Sequence, residues 1–392
     1  MLDFSLSEDQ LMVQDMAKSF AETEVAPYVD QDEENHFYRR EILTKMGELG
    51  LLGWSLPEEL GGNGMGWMEA QLAQFEIAKA HTSWRLSISG NNWGPAMTIY
   101  QFGNKEQQEK FIPPFLDGSA VGSFGITEPN SGTDVASMKT FAEDKGDYWL
   151  VNGTKMWISG GHVCDAGLLY AVTEKGAGAK GISAFIVDYH ESVEGMTRNP
   201  IHTKVGMWAA PTSEMVYENV KIPKENLLGD LNKGFVECMW QLNNTRVGCA
   251  NGAASLSAAC LEGAVAYANE RTQFGKPIGK FQLIQEQITN MKLEDEAALW
   301  LVRKAAWLKD QKLPNQQAVS MAKLSSAHAA VNGANMAMKV YGSYGYSTEY
   351  PCGRWLRDSK QFETLEGTSN IHTTIVANIE LGYAKNQGAG AK

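Results

Sequence analysis

Neither a Cys-x-x-Cys pair nor a Cys/His spacing able to hold a metal occurs in this 392-residue sequence; its five cysteines, Cys164, Cys238, Cys249, Cys260 and Cys352, are scattered. That pattern excludes a disulfide framework and a zinc site and reads as buried thiols in a reducing compartment. Basic tracts are missing as well. With a formal net charge of -12 the chain has no electrostatic attraction for nucleic acid, so a phosphate-bearing ligand has to meet local cations. No apolar run approaches the roughly 20 residues that a spanning helix needs, which argues against membrane insertion. Internal repeats and long low-complexity segments are absent. The first residues, Met1-Leu2-Asp3-Phe4, resemble neither an Arg-rich leader nor a charged-then-apolar signal, so a cytoplasmic, prokaryotic protein is the expectation.

What is present is enough apolar material, 43% of residues, to bury a large core divided among two or three domains. The first third has helical texture. Ser7 with Gln10 forms a capping-box start, and Val13, Met16, Ala17 and Phe20 recur at helical spacing until Pro27 is expected to stop the pattern. Further helices are expected around 41–50 and 68–80, flanking the turn-rich Pro57-Glu58-Glu59-Leu60-Gly61-Gly62. From about residue 122 the texture changes to β-branched and aromatic runs. Residues 148–151 and 154–158 read as strands joined by an Asn152-Gly153 hairpin turn, with more strands near 166–173, 181–188 and 213–220. Gly176-Ala177-Gly178-Ala179-Lys180-Gly181 matches the dinucleotide-binding glycine pattern literally, yet a strand follows where that pattern needs a helix, so it reads as a flexible turn. After residue 235 the chain is again helical, with breaks near Gly275, Pro314 and Pro351, which fits a helical bundle. The tail after Lys385 is expected to fray.

Two segments carry chemistry. Near the end, Arg357-Asp358 precedes Glu363-Thr364-Leu365-Glu366-Gly367-Thr368-Ser369-Asn370. A carboxylate followed by Gly can stand edge-on to a ligand because Gly lets a group approach the backbone; taken alone, the stretch could equally be a Thr-capped helix start. In the middle lies Phe124-Gly125-Ile126-Thr127-Glu128-Pro129-Asn130-Ser131-Gly132-Thr133-Asp134. With Lys155-Met156-Trp157-Ile158-Ser159, Leu242-Asn243-Asn244-Thr245-Arg246, Arg271-Thr272-Gln273-Phe274-Gly275, the Tyr344 to Pro351 block and Glu366-Gly367-Thr368, all in this order, it resembles the acyl-CoA dehydrogenase family over nearly the whole chain.

The resemblance implies a mainly α fold with a central β-domain: an N-terminal helical domain (1–121), a small β-barrel or sandwich (122–235) and a C-terminal four-helix bundle (236–392). It implies an FAD-dependent enzyme that removes an α-proton and a β-hydride from an acyl-CoA to give a 2-enoyl-CoA, with an electron-transferring flavoprotein as acceptor. A side chain cannot accept a hydride, so a cofactor must. Glu366 matches the base, with Glu363 and Glu349 as competing carboxylates. Thr127, Phe124, Ile126, Trp157 and Ser159 match the flavin surroundings; for Trp157 the competing reading is a core residue on a strand. Gly132 and Thr133 match positions beside the pyrophosphate and pantetheine. Arg271, Gln273, Phe274, Phe281 and Gln282 resemble the stretch that reaches a neighbouring subunit's FAD, which implies a homotetramer. Lys339, Gly342, Ser343, Thr368 and Asn370 complete the expected cofactor set, Lys339 and Asn370 being departures from the commoner Gln or Glu. Asn243, Arg246 and Gly367 match substrate contacts, and no metal is implied.

For the acyl group, Arg85 and Ser89 fall where glutaryl-CoA dehydrogenases hold a distal carboxylate, chemistry that suits a guanidinium. The competing reading makes Arg85 a surface or interface cation lying past Trp84. Leu365 stands in place of the Tyr before the base and Ala78 in place of an acidic residue, which points away from decarboxylation. Bulkier arylsuccinyl or alicyclic groups stay open, with Trp84, Asn91 and Trp93 as candidate pocket walls. Related readings are a flavin-dependent oxidase, a reductase running in reverse, and an acyl-CoA-binding protein without activity.

Overall fold

The computed structural model describes residues 5–190 and 194–388. Its first helix, α1 (Glu8–Phe20), starts with the reciprocal capping box expected: the Ser7 hydroxyl accepts from the Gln10 N–H while the Gln10 side chain accepts from the Ser7 N–H. Pro27 does not end the run. Its missing N–H falls in a 3₁₀ turn (Ala26–Tyr28) that follows a π turn, where it breaks no bond, and the chain continues into α2 (Val29–Glu34). Then come α3 (Arg40–Glu48), α4 (Trp67–Ala80), α5 (Trp84–Asn91), α6 (Met97–Phe102) and α7 (Lys105–Leu116).

The central region is one eight-stranded sheet. It comprises β1 (Gly122–Gly125), β2 (Phe141–Asp144), β3 (Tyr148–Ser159), β4 (Ala166–Val172), β5 (Ile182–Asp188), β6 (Met196–Pro200), β7 (Thr212–Pro223) and β8 (Leu227–Leu228), in the order β6-β7-β3-β2-β4-β5-β8 with β1 parallel to β4. The expected Asn152-Gly153 hairpin is absent: residues 148–159 form one strand. At that dipeptide the pairing of β3 with β7 slips by a bulge, and a Cβ on Gly153 would fall 2.4 Å from Thr140 Oγ1. Close approach of two strands, not a chain reversal, explains the glycine. The glycine pattern at 176–181 is a turn leading into β5.

The last region is helical: α8 (Gly234–Glu270), a short hairpin of β9 (Thr272–Gln273) and β10 (Lys276–Pro277), α9 (Gln282–Asp310), α10 (Gln316–Tyr341), α11 (Cys352–Gln361) and α12 (Ser369–Glu380). Small residues, Ala, Gly, Ser and Cys, make up most of the buried face of α8, which lets α4, α9 and α10 pack closely around it. Residues 386–388 of the tail are not frayed. The Gln387 carbonyl accepts from the N–H groups of Asn315 and Gln316, satisfying orphan donors at the start of α10. Among the described residues no helix is long and apolar enough to cross a membrane, and the five cysteines are buried and unpaired.

One side chain ties the helical and sheet regions together. Asn91, at the end of α5, donates to the carbonyls of Phe115 and Ala120 and accepts from the Gly122 N–H at the head of β1. It is fully buried and structural. Trp84 and Trp93 are likewise core residues, so none of the three forms the pocket wall expected of them.

Candidate active site

Where α5, α8, the β-sheet and the loop before α12 meet, the chain encloses a cavity of about 1250 Å³. That exceeds the volume usual for one small ligand and leaves room for two.

The loop after β1 forms one wall, and a buried ion pair fixes it. Lys155, fully buried on β3, donates to the Ile126 carbonyl (3.0 Å) and to Glu128 Oε1 (2.9 Å). Glu128 accepts in turn from the N–H groups of Lys139 and Thr140. Burial works against the carboxylate's charge, but the Lys155 ammonium and these donors outweigh it and hold its pKa below the usual value. The Met156 N–H bonds the Thr127 carbonyl. Phe124, Ile126, Thr127, Gly132 and Thr133 are thereby set on the cavity wall.

Next to them the pairing of β3 slips again between Lys155 and Ile158, and Trp157 takes a left-handed backbone (φ 63). A bulge re-aims a side chain. The indole is 55% exposed and, with Ser159, lines the cavity instead of joining the core.

Glu366 stands opposite. It is itself left-handed (φ 58), an uncommon state for a residue with a Cβ, and is followed by Gly367 at φ 100. A Cβ on Gly367 would fall 3.1 Å from His372 Nε2 and 3.4 Å from Arg246 Nη2, so both the backbone and the space require glycine there. Thr368 caps α12 through the Ile371 N–H, so this stretch is a helix start and a carboxylate-bearing turn at once. The Glu366 side chain is 6% exposed. Its Oε2 accepts from Thr245 Oγ1 at 2.7 Å, and its Oε1 lies 3.9 Å from Arg85 Nη2. Its carbonyl accepts from Arg246 Nε at 2.8 Å and faces His372 Nε2 at 3.3 Å. Burial, with the nearby Arg246 and Lys323 charges, lowers the His372 pKa to about 3, so the imidazole is neutral and its Nε2 carries the donated hydrogen.

Among the described residues Glu366 is the sole carboxylate lining the cavity. Glu363 is not on the cavity wall and pairs with Lys360 at 3.2 Å, and Glu349 is exposed in its turn. Arg85 is fully buried, which excludes the surface reading, and among the described residues its Nε, Nη1 and Nη2 have no hydrogen-bond partner; neither does the hydroxyl of buried Ser89. Both residues line the cavity, as do Asn243, Arg246, Gly367 and Thr368. Asn243 donates to Asn315 and keeps its own Oδ1 unpaired.

The remaining expected residues lie elsewhere. Arg271, Gln273 and Phe274 occupy the exposed β9–β10 hairpin, with Phe281 and Gln282 just after it; Lys339, Gly342 and Ser343 are exposed at the end of α10, and Asn370 is exposed on α12. Within one chain none of them reaches the cavity. Residues that sequence reasoning had not singled out do reach the site. Thr245, Lys323 and His372 hold the Glu366 turn, and Lys204 lines the wall with its pKa lowered by burial to about 8. Thr245 was present inside a recognised block; Lys323 and His372 sit on helices whose local sequence carries no signal.

The descriptions of the acyl-CoA dehydrogenase N-terminal, middle and C-terminal domains match residues 7–119, 123–220 and 232–381. A glutaryl-CoA dehydrogenase from Desulfococcus multivorans is 42% identical over 98% of this chain and 99% of its own. The chain belongs to the acyl-CoA dehydrogenase family. It is accordingly an FAD-dependent oxidoreductase. Among solved structures, a glutaryl-coenzyme A dehydrogenase in complex with glutaryl-CoA superposes with a TM-score of 0.96 at 40% identity, covering 100% of both chains. A glutaryl-CoA dehydrogenase from Mycobacterium smegmatis in complex with FADH2 gives 0.91 at 30% identity over 96% of this chain and 95% of that one. The cavity suits the cofactor of this family: an exposed indole held outward by a strained bulge offers a flat aromatic face, and the fixed Thr127 and Ser159 stand on the same wall.

Proposed function

We propose that this acyl-CoA dehydrogenase oxidises a dicarboxylic monothioester of the glutaryl or arylsuccinyl type and keeps the distal carboxylate. The observation that carries this reading is Arg85: a guanidinium 0% exposed, with three unpartnered nitrogens, on the wall of the cavity that holds Glu366. Its one ion pair among the described residues is the long 3.9 Å approach to Glu366 Oε1, which makes no hydrogen bond; a buried cation so weakly paired is costly, and a substrate carboxylate would relieve that cost with a charge-assisted pair. The Ser89 hydroxyl stands one helical turn further along α5 as a further free donor. The resemblance to glutaryl-CoA dehydrogenases supports the same substrate class.

In this reading Glu366 removes the α-proton with Oε1, the oxygen that Thr245 leaves unbonded, while the N–H of Glu366 steadies the thioester oxygen as enolate charge develops. FAD, held by Phe124, Ile126, Thr127, Gly132, Thr133, Trp157, Ser159 and Thr368, supplies the acceptor for the β-hydride. Arg246, Asn243 and Gly367 hold the thioester and its CoA arm. Apolar Leu365 on the wall and fully buried Ala78 on α4 leave Glu366 without a second acid, which supports retention of the carboxylate. Arg271, Gln273, Phe274, Phe281, Gln282, Lys339, Gly342 and Ser343 would serve the FAD of a neighbouring subunit in a homotetramer. The exposure of Phe274, 94%, supports that role. An electron-transferring flavoprotein would reoxidise the enzyme in the cytoplasm.

Anaerobic mixing of the holoenzyme with dicarboxylic and uncharged acyl-CoAs tests this. Flavin bleaching by the dicarboxylic thioester, with an enoyl dicarboxylic product and no carbon dioxide, is the expected result. Carbon dioxide release would refute the retention of the carboxylate.

A further inference from the structure

Two carbonyl oxygens of the Glu366 turn are held by buried cations on different helices. Arg246, on α8, binds that of Glu366; Lys323, on α10, binds that of Gly367 through Nζ at 2.7 Å. Lys323 is 1% exposed, and the Gly367 carbonyl is its hydrogen-bond partner among the described residues. Burial of an ammonium group is unfavourable, and methionine would fill the same space without it. The ammonium therefore has a use where it stands.

The geometry of the peptide group indicates that use. C=O and N–H point in opposite directions across an amide. With the oxygens of Glu366 and Gly367 drawn to Arg246 and Lys323, the N–H groups of Gly367 and Thr368 face away from those cations, and both residues line the cavity. Neither N–H has a backbone acceptor among the described residues. A turn with two successive left-handed residues has no helical ladder to hold it; the Ser369 N–H closes it onto the Glu363 carbonyl at 3.0 Å, and the two side-chain bonds hold the Glu366 and Gly367 peptides inside that closure. A donor bearing a full charge holds a carbonyl more firmly than a neutral one.

We propose that Lys323 is a positioning residue for proton abstraction: by holding the Gly367 carbonyl from behind, it keeps the Glu366 carboxylate aimed at the substrate's α-carbon. In the step concerned, the α C–H bond breaks, its proton passes to the Glu366 carboxylate, and the electron pair remains as the thioester enolate. This inference rests on Glu366 being the base.

The test is exchange of the substrate's α-hydrogen in deuterated water, using a 3-thia acyl-CoA, which has no β C–H to oxidise. FAD content and thioester dissociation constant are measured alongside on the FAD-loaded enzyme. Lys323→Met should slow exchange on the order of a hundredfold, the scale of a misplacement near 1 Å, with FAD content and thioester binding unchanged. If Lys323→Met does not fold, Lys323→Gln is read in the same way. Exchange at the wild-type rate overturns the proposal, and so does exchange that falls only in step with lost FAD or thioester binding. Glu366→Gln separates the two readings: exchange retained in that variant refutes the base itself, whereas exchange lost there but intact in Lys323→Met refutes only the role of Lys323.

Discussion

Thr245 Oγ1 donates to one oxygen of Glu366 at 2.7 Å and so fixes which oxygen is left to face the cavity. That single bond gives the carboxylate a direction. Glu366→Gln should bind FAD and acyl-CoA but lose flavin reduction, because the amide preserves shape and removes the base. Thr245→Val, which removes the orienting bond while keeping the size, should reduce the rate of flavin bleaching on the order of tenfold, close to the lower end of what a hydrogen bond to a charged group contributes. Stopped-flow absorbance at saturating substrate checks both, and near-normal reduction by Glu366→Gln would refute Glu366 as the base.

A second prediction concerns the packing under Arg85. A Cβ on Gly252 would fall 2.5 Å from Arg85 Cδ and 2.6 Å from its Cγ. Gly252→Ala must therefore push the guanidinium out of place, with an overpacking cost of about 1–3 kcal/mol in stability. In competition kinetics kcat/KM for the dicarboxylic thioester should fall tenfold or more, on the order of one lost charge-assisted bond, while an uncharged thioester of similar length changes much less. Equal losses on both would show that Gly252 matters only for packing.

The three-part course of the fold was legible because the periodicity changes from helical to alternating and back, and each change coincides with turn residues. Glu366, Thr127 and Arg85 were legible through recognised blocks. Other features were not. Asn152-Gly153 has the composition of a hairpin turn but is a bulge, since Thr140, just before the neighbouring strand β2, packs against the backbone there. Trp84, Asn91 and Trp93 have the composition of a pocket wall but face the core. Their direction depends on how α5 and the π turn that follows it pack against α4 and α8, which no local pattern encodes. Lys323 and His372 reach the site only because α10 and α12 pack behind the Glu366 turn.

The third prediction is a pH dependence of stability. Burial raises the pKa of Glu237 from 4.5 to about 8; the Asp230 backbone N–H works against the rise and the Asp230 charge adds to it. The folded state then binds the proton more tightly than the unfolded chain between about 4.5 and 8. Stability from this group is complete below 4.5 and declines as pH rises towards 8. Glu237→Gln, neutral throughout, should therefore gain in melting temperature over the wild type on going from pH 5 to pH 9. A constant difference between the two proteins would mean that Glu237 is charged in the fold.

The measurement that bears most directly on the substrate assignment is the specificity of Arg85→Met. Arg85 also lies near Glu366, so loss of activity alone would not separate a substrate contact from support of the base; the ratio of two substrates does. If Arg85 pairs with a distal carboxylate, kcat/KM for the dicarboxylic acyl-CoA should fall by about one to two powers of ten, the equivalent of a charge-assisted bond of about 1.5–3 kcal/mol, with little change for an uncharged thioester of the same size. A wild-type enzyme that prefers the uncharged thioester, joined to an Arg85→Met variant whose ratio is unchanged, would contradict the assignment.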